Sequence, residues 1–405
     1  MKVDLAVRFC GIDFANPFVL ASSPCTDSAD MVARGFDAGW AGAVLKTTAT
    51  EEEEVSLAYP LMSSLQRDGR MIGLHNIDLI SEHHIGIMAE TVRQLKREYP
   101  GRVVIGSIVG RNKTEWQFLA REMAAAGADL IECSLSCPQG SMLEGEEVAQ
   151  GSMVSQDPRL TEKVSRWIKE AVPRTPAYVK LTSGVTDLGV MVRAVQASGA
   201  DGLCLIDSLE GIVGVDLETL EPLPSVQGYT SHGGFTGRAI KPIGLRCVAD
   251  AARTTPLPIA GVGGIYNWRD AAEYLLLGAT IVQVCTAVME LGFGIVEELS
   301  DGLSRWMVRK GFTTVDEVIG RCLPRLVEHD ALPHGVQVRA RIDMDRCIGC
   351  GRCYVACRDG AHQAILWNLE RQPVVDDEKC VGCGLCPQVC PVPGCITIRN
   401  REVMA

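Results

Sequence analysis

Between residues 18 and 287 the chain alternates two kinds of segment. Short apolar runs, rich in β-branched residues, are followed by longer stretches in which apolar positions recur every three to four residues among charges. The short runs are FVLAS (18–22), GAVLKT (42–47), VVIGSIV (103–109), LIECSLS (130–136), AYVKLT (177–182), GLCLIDS (202–208), IAGVGGI (259–265) and IVQVCTA (281–287). EWQFLAREMAAAGA and TEKVSRWIKEAV represent the long ones. The first pattern predicts buried parallel strands and the second amphipathic helices. Eight such units in about 250 to 300 residues predict an α/β fold, a (β/α)8 TIM barrel. A doubly wound sheet is the alternative, but it would place a G-x-G-x-x-G turn after an early strand, and the sequence contains none. The longest nearly uncharged stretch, YLLLGATIVQVCTAVM, is shorter than a membrane span and is broken by Gly278 and Gln283. It reads as a helix end, a turn and a buried strand. The barrel is assigned to residues 1–310, a helical linker to 311–337 and a smaller α+β domain to 338–405.

Composition adds class and compartment. The 405 residues are 47% hydrophobic, enough for a large core. A net charge of −11, with acids and bases mixed, argues against nucleic acid or an anionic membrane as partner. The opening MKVDLAVRFCGIDF lacks the apolar core of a signal peptide, so a cytoplasmic protein is expected.

Cysteine usage changes the picture most. Nine of the 17 cysteines lie between Cys347 and Cys395, and eight of those form two runs of one spacing. CIGCGRCYVAC supplies Cys347, Cys350, Cys353 and Cys357; CVGCGLCPQVC supplies Cys380, Cys383, Cys386 and Cys390. This is the C-x2-C-x2-C-x3-C spacing of bacterial ferredoxins, in which the fourth cysteine serves the partner cluster. Cys347, Cys350, Cys353 and Cys390 should therefore hold one [4Fe–4S] cluster, and Cys380, Cys383, Cys386 and Cys357 the other. A zinc ribbon also uses C-x2-C pairs, but zinc takes four ligands per ion, and each run already has its third and fourth cysteine at ferredoxin spacing. Arg358 replaces the proline that usually follows the first run, and Cys395 is left over as a small buried hydrophobe. Such clusters carry single electrons, which places the chemistry in the barrel.

Barrel enzymes carry their functional groups at the C-terminal strand ends. Here those ends are Ser22, Lys46, Ser136 with Cys137, Lys180, Asp207 with Ser208, Gly263 with Gly264, and Thr286. A lysine in a barrel mouth either meets an anion or suffers desolvation, and a salt bridge with Glu132 or Asp207 is the plain alternative to a ligand. GVGGI and QVCTA end the last two strands, the usual phosphate position of this fold. A phosphate grip plus a lysine for the anionic edge of a reduced flavin suggests FMN.

These residues resemble a known family. NPFVLAS, LKTT, HNIDLISE, SCPQ, VKLT, ADGL, FTGRAIKPIGLR and GVGGIYNWRDAAEYLLLGA are similar to the dihydroorotate dehydrogenase superfamily. Together with the cysteine runs they resemble the PreA-like FMN/iron–sulfur subunits of bacterial NAD-dependent dihydropyrimidine dehydrogenases, across nearly all of residues 11 to 395. The resemblance implies FMN across the barrel mouth, with Ala21 and Ser22 near its ring and Lys46 and Lys180 on its polar atoms. It places Asn76 near the substrate and Gly263, Gly264, Cys285 and Thr286 around the phosphate. It makes Cys137 the acid that protonates one carbon of an activated C=C bond while hydride adds to the other. A thiol suits that task, being protonated near neutrality yet able to release its proton. Strand alternation puts Glu132, Ser134 and Ser136 on one face and Cys133 on the other, in the core. The segment PQGSMLEGEEVAQGSM that follows reads as a lid.

The sequence departs from the pyrimidine-reducing pattern at the substrate. Ser134 stands where those relatives carry asparagine, Asp207-Ser208 where they carry Asn-Thr, and Thr182-Ser183-Gly184 where they carry Thr-Pro-Asn. An amide donates and accepts at once, matching the alternating edge of uracil; serine is shorter and an ionised aspartate only accepts. A substrate with an extra donor, or drift within one activity with waters replacing amides, are the two expectations. With no dinucleotide fingerprint in the chain, NAD(P)H oxidation falls to a separate FAD-containing, PreT-like partner in a homodimer or heterotetramer. An electron-transfer subunit with an inactive barrel, and dihydroorotate oxidation on the same barrel, are the competing functions.

Overall fold

The structure is a computed structural model and describes residues 3–50, 55–135 and 151–400. Eight parallel strands close into a barrel. They are β1 (Phe18–Leu20), β2 (Gly42–Val44), β3 (Val103–Ile108), β4 (Leu130–Ser134), β5 (Ala177–Leu181), β6 (Gly202–Leu205), β7 (Ile259–Val262) and β8 (Ile281–Val284). Sequence neighbours are spatial neighbours, and β8 pairs back onto β1. Every strand residue is buried, which is why the runs read as continuous rather than alternating hydrophobicity. Alternation survives in what each face meets. In β4, Cys133 is 1% exposed within the hydrophobic core, while Glu132 points to polar partners on β3, β5 and β8.

The outer helices begin and end on side chains suited to the job. Ser28, Asn112, Asp157, Asp187 and Asn267 each accept a hydrogen bond from an amide in the first turn of the helix that follows. Gly39, Gly127, Gly199 and Gly311 close four helices in the left-handed region. An N-terminal hairpin, Val7–Phe9 and Ile12–Phe14, sets the fully buried Phe9 ring edge-on to Tyr178 at 5.3 Å.

One addition was invisible in the period of the pattern. Met62–Arg67, Arg70–Asn76, Leu209–Gly211 and Gly233–Thr236 form a four-stranded antiparallel sheet from excursions after β2 and β6. Met62, Leu74, Asn76, Gly234 and Thr236 of this sheet line the cleft at the C-terminal strand ends.

The chain divides into two compact units at Arg325 and Leu326. Residues 311–337, expected as a helical linker, contain only the single turns Val315–Glu317, Leu323–Arg325 and His329–Ala331. Pro324 and Pro333, together with Gly311, Gly320 and Gly335 at positive φ, keep a longer helix from forming. Val315 and Val318 are fully buried, and the Gly320 and Cys322 amides donate to the carbonyls of Leu275 and Leu276, so this part belongs to the barrel unit.

The second unit repeats a short motif twice. Val338–Ile342 pairs antiparallel with Ile396–Asn400, and Ile365–Trp367 with Pro373–Val375. Helix Arg352–Gly360 carries Cys353 and Cys357, and helix Leu385–Val389 carries Cys386 with Cys390 at its C-terminal cap. Its core is largely cysteine: Cys353, Cys357, Cys380, Cys386 and Cys395 are buried with Ala340, Ala364, Ile365 and Ile396. Among the described residues, no helix is long and apolar enough to cross a membrane.

Candidate active site

All twelve barrel site residues that fall within the described segments line one cleft at the C-terminal strand ends. Ala21 and Ser22 follow β1, Lys46 follows β2, Ser134 ends β4 and Lys180 lies in β5. Asp207 and Ser208 follow β6, Gly263 and Gly264 follow β7, and Cys285 and Thr286 follow β8. Asn76 reaches the cleft from the capping sheet, where its side-chain amide donates to the Gly234 carbonyl at 2.9 Å. Ser136, Cys137 and the lid segment up to residue 150 lie outside the described residues.

Both lysines are buried and paired. Lys180 Nζ lies 3.4 Å from Asp207 Oδ1, the partner named as the plain alternative. Burial alone would lower the Lys180 ammonium, but the Asp207 and Glu132 carboxylates raise it well above the ordinary lysine value. Lys46 Nζ lies 3.1 Å from Asp78 Oδ1, a partner that strand-end reasoning missed. Burial pushes the Asp78 carboxyl up against the opposing pull of Lys46. Two cations are thus held at the cleft wall with their positions fixed by carboxylates. Asp207 Oδ1 also accepts from the Ser208 amide at 2.7 Å, so its first engagement is with the protein itself.

At the other wall, Gly263 (φ +124°) and Gly264 (φ +68°) turn the backbone after β7. A Cβ on Gly264 would meet the Gly237 carbonyl at 2.9 Å and Lys241 Cβ at 2.8 Å, so only glycine leaves the amides clear. Thr286 donates to Thr236 at 3.1 Å, joining the end of β8 to the capping sheet. Burial pushes the Cys285 thiol up to about 11. At the cleft floor the barrel interior holds a polar layer of Ser107, Glu132, Tyr178 and Gln283, the last of which lines the cleft, that the sequence reading did not assemble. The β3–β4–β5 register sets Ser107 against Glu132 and Glu132 against Tyr178.

This donor set suits a phosphorylated, planar, electron-rich group: backbone amides and a threonine at one end, two fixed ammonium groups and hydroxyls at the other. FMN answers that description, and the fit rests on the glycine turn that a Cβ would fill.

In the second unit Cys347, Cys350, Cys353 and Cys390 wall one cavity. Cys357, Cys380, Cys383 and Cys386 wall another. Each quartet takes three cysteines from one run and the fourth from the other. The Ala340 and Ala364 amides donate to Cys380 and Cys357 sulfur at 3.4 and 3.3 Å, the contacts a thiolate ligand receives. Among the described residues no three His, Cys, Asp or Glu side chains could share a single metal ion. Thiols spread around a cavity suit a multi-atom cluster better than one zinc. Cys395, read as a leftover hydrophobe, is 3% exposed and stands in the wall of the first cavity.

Comparison with known proteins agrees with this division. Residues 4–307 match the dihydroorotate dehydrogenase family and residues 340–398 a 4Fe-4S dicluster domain. The chain is 41% identical over 401 residues to the NAD-dependent dihydropyrimidine dehydrogenase subunit PreA of Escherichia coli K12, covering 98% of this chain and 95% of that one. It is 34% identical over 342 residues to the chloroplastic NADP(+) dihydropyrimidine dehydrogenase of Arabidopsis thaliana, covering 81% and 79%. It is 32% identical over 326 residues to the catalytic subunit of the NAD(+) dihydroorotate dehydrogenase B of Pyrococcus abyssi, covering 79% and 99%. The chain therefore belongs to the dihydroorotate dehydrogenase family, as an oxidoreductase of CH–CH bonds that carries a 4Fe-4S dicluster domain after its barrel.

Proposed function

We propose that the protein interconverts the C=C and CH–CH forms of a pyrimidine-like heterocycle in its barrel cleft. Its electrons are exchanged through the C-terminal clusters with an NAD(P)H-oxidising, FAD-containing partner of the PreT type. The observation that carries this is the single cleft in which paired lysines, hydroxyls and a glycine turn converge, on a chain that also presents two cysteine quartets. When bound, FMN supplies hydride transfer at its N5, and the clusters supply single-electron transport.

The chain's own residues do the rest. Lys46 and Lys180, locked by Asp78 and Asp207, hold positive charge beside the cofactor without moving during turnover. Gly263, Gly264, Cys285 and Thr286 grip the phosphate with backbone amides and a hydroxyl. Asn76, Ser134, Ser136, Asp207 and Ser208 face the substrate, and Cys137 delivers or removes the proton at carbon. Cys347, Cys350, Cys353 and Cys390 ligate one cluster, and Cys357, Cys380, Cys383 and Cys386 the second. The test is the visible spectrum and iron content of anaerobically purified protein, followed by turnover of Cys137→Ser and Cys137→Ala. Turnover that survives both substitutions removes the acid assignment.

A second reading keeps the chemistry and changes the substrate. It is favoured by Ser134 and Asp207, which stand where pyrimidine-reducing relatives carry asparagine. The Lys180–Asp207 ion pair narrows it, since Oδ1 is already engaged by the ammonium and the Ser208 amide. Reduction of uracil or thymine at ordinary efficiency would rule this second reading out.

A further inference from the structure

The polar layer beneath the cleft contains an ordered chain of hydrogen bonds whose direction can be worked out donor by donor. Glu132 is fully buried. Its Oε2 accepts from the Tyr178 hydroxyl at 2.9 Å and the Gln283 amide at 3.3 Å, and its Oε1 accepts from Ser107 at 3.3 Å. A hydroxyl has one proton to give. Because Ser107 gives its proton to Glu132, the 2.8 Å bond between Thr47 and Ser107 must be donated by Thr47. Thr47 has then used its own proton, so the 3.2 Å bond to Ser22 is donated by Ser22. Ser22 Oγ also accepts the Thr47 backbone amide at 3.1 Å. With its proton committed and one lone pair occupied, Ser22 is left with a lone pair for the cleft it lines.

We infer that Glu132 is a positioning residue that fixes, through Ser107 and Thr47, the hydrogen-bond polarity of Ser22, making Ser22 an acceptor for an N–H of the bound cofactor. Neither Ser107 nor Glu132 lines the cleft. Their influence on a ligand must travel along the chain, through Lys180, which Glu132 also helps to charge, or through Gln283, which lines the cleft and donates to Glu132. A neutral side chain at position 132 can offer Ser107 a donor. That would reverse each hydroxyl in turn and present the cleft with a Ser22 proton where the ligand also donates.

The inference rests on the flavin reading, and the experiment separates the two. FMN is titrated into full-length protein stripped of FMN with its clusters retained, and the dissociation constant is read from flavin fluorescence. Glu132→Gln is expected to weaken FMN binding roughly tenfold, the worth of one hydrogen bond turned into a clash of donors. In a Ser22→Ala background the same substitution should change it less than about twofold, because the responding acceptor is gone. A structural role for Glu132, or one exerted through Lys180 or Gln283, would keep its tenfold effect in both backgrounds, and that result overturns the inference. Ser107→Ala cuts the chain at its middle and serves the same comparison should Glu132→Gln fold poorly. No effect from either substitution also overturns it. Wild-type protein that binds no FMN at all instead brings down the flavin reading, and this inference with it.

Discussion

The barrel cleft and the cysteine unit achieve their sites by opposite means. In the cysteine unit three members of each quartet lie within seven residues of one another, and only the fourth comes from the other run. In the cleft, residues contributed by seven strand ends and an inserted sheet meet, and no two of the charged partners are sequence neighbours. The first site is written locally, so its parts can be removed singly. The second is written in the register of the barrel, so one change there leaves several groups without partners.

The largest effect expected from that contrast is in the cysteine unit itself. Cys353→Ser should lower iron by about half if, as proposed, each quartet holds one cluster. FMN stoichiometry should hold, because the barrel forms its own compact unit. Electron delivery from the partner should stop altogether. Flavin lost together with iron would show that the two sites are not independent, and iron that falls to nothing that the two quartets are not. The barrel counterpart is Lys180→Met, which leaves the buried Glu132 and the half-buried Asp207 without that cation. Removing one member of a buried pair costs about 3–5 kcal/mol, and here two carboxylates share the loss. Thermal unfolding of the barrel should move down sharply while iron content stays unchanged. Lys46→Met sharpens the point, since its ion-pair partner among the described residues of the cleft wall is the single acid Asp78. The cost should be about 3 kcal/mol and should shrink to about 1 kcal/mol in the Lys46→Met, Asp78→Asn double variant. A double variant destabilised by the sum of its two single variants would show that the pair is not coupled.

The same contrast explains what could be read from the sequence. The quartets were legible because a thiolate spacing within one loop is local information, and even the crossing of the fourth cysteine follows from that spacing. The strand ends were legible because buried parallel strands give continuous apolar runs whose last residues must face the mouth. Asp78 was not, although it lies in the quoted HNIDLISE, because nothing in its own neighbourhood says that it pairs with a lysine 32 positions earlier. The layer of Ser107, Glu132, Tyr178 and Gln283 was missed for the same reason: it exists only once the strands are set in register. The capping sheet joins strands from residues 62–76 and 209–236, too far apart in the chain for a local period to reveal their pairing. The expected helical linker failed at its glycines and prolines, whose turns outweigh the helical pattern around them.

The smallest expected effect lies in the thiols, and it divides the two regions by chemistry rather than by stability. Cys285 lines the cleft, yet burial raises its thiol to about 11, with the nearby Cys25 adding to the shift. A thiol reacts through its thiolate, so at pH 8 roughly a thousandth of Cys285 is available, against about a quarter for an unperturbed cysteine of pKa near 8.5. Iodoacetamide labelling read by mass spectrometry should therefore find Cys285 hundreds of times slower than glutathione at pH 8. Its rate should climb about tenfold per pH unit until near pH 11. Labelling at the glutathione rate would mean that water reaches this end of the cleft freely, and the phosphate grip assigned to Cys285 and Thr286 would lose its desolvated wall. Slow labelling with the expected pH slope would place the Cys285 sulfur in a desolvated wall of the cleft, protonated near neutral pH.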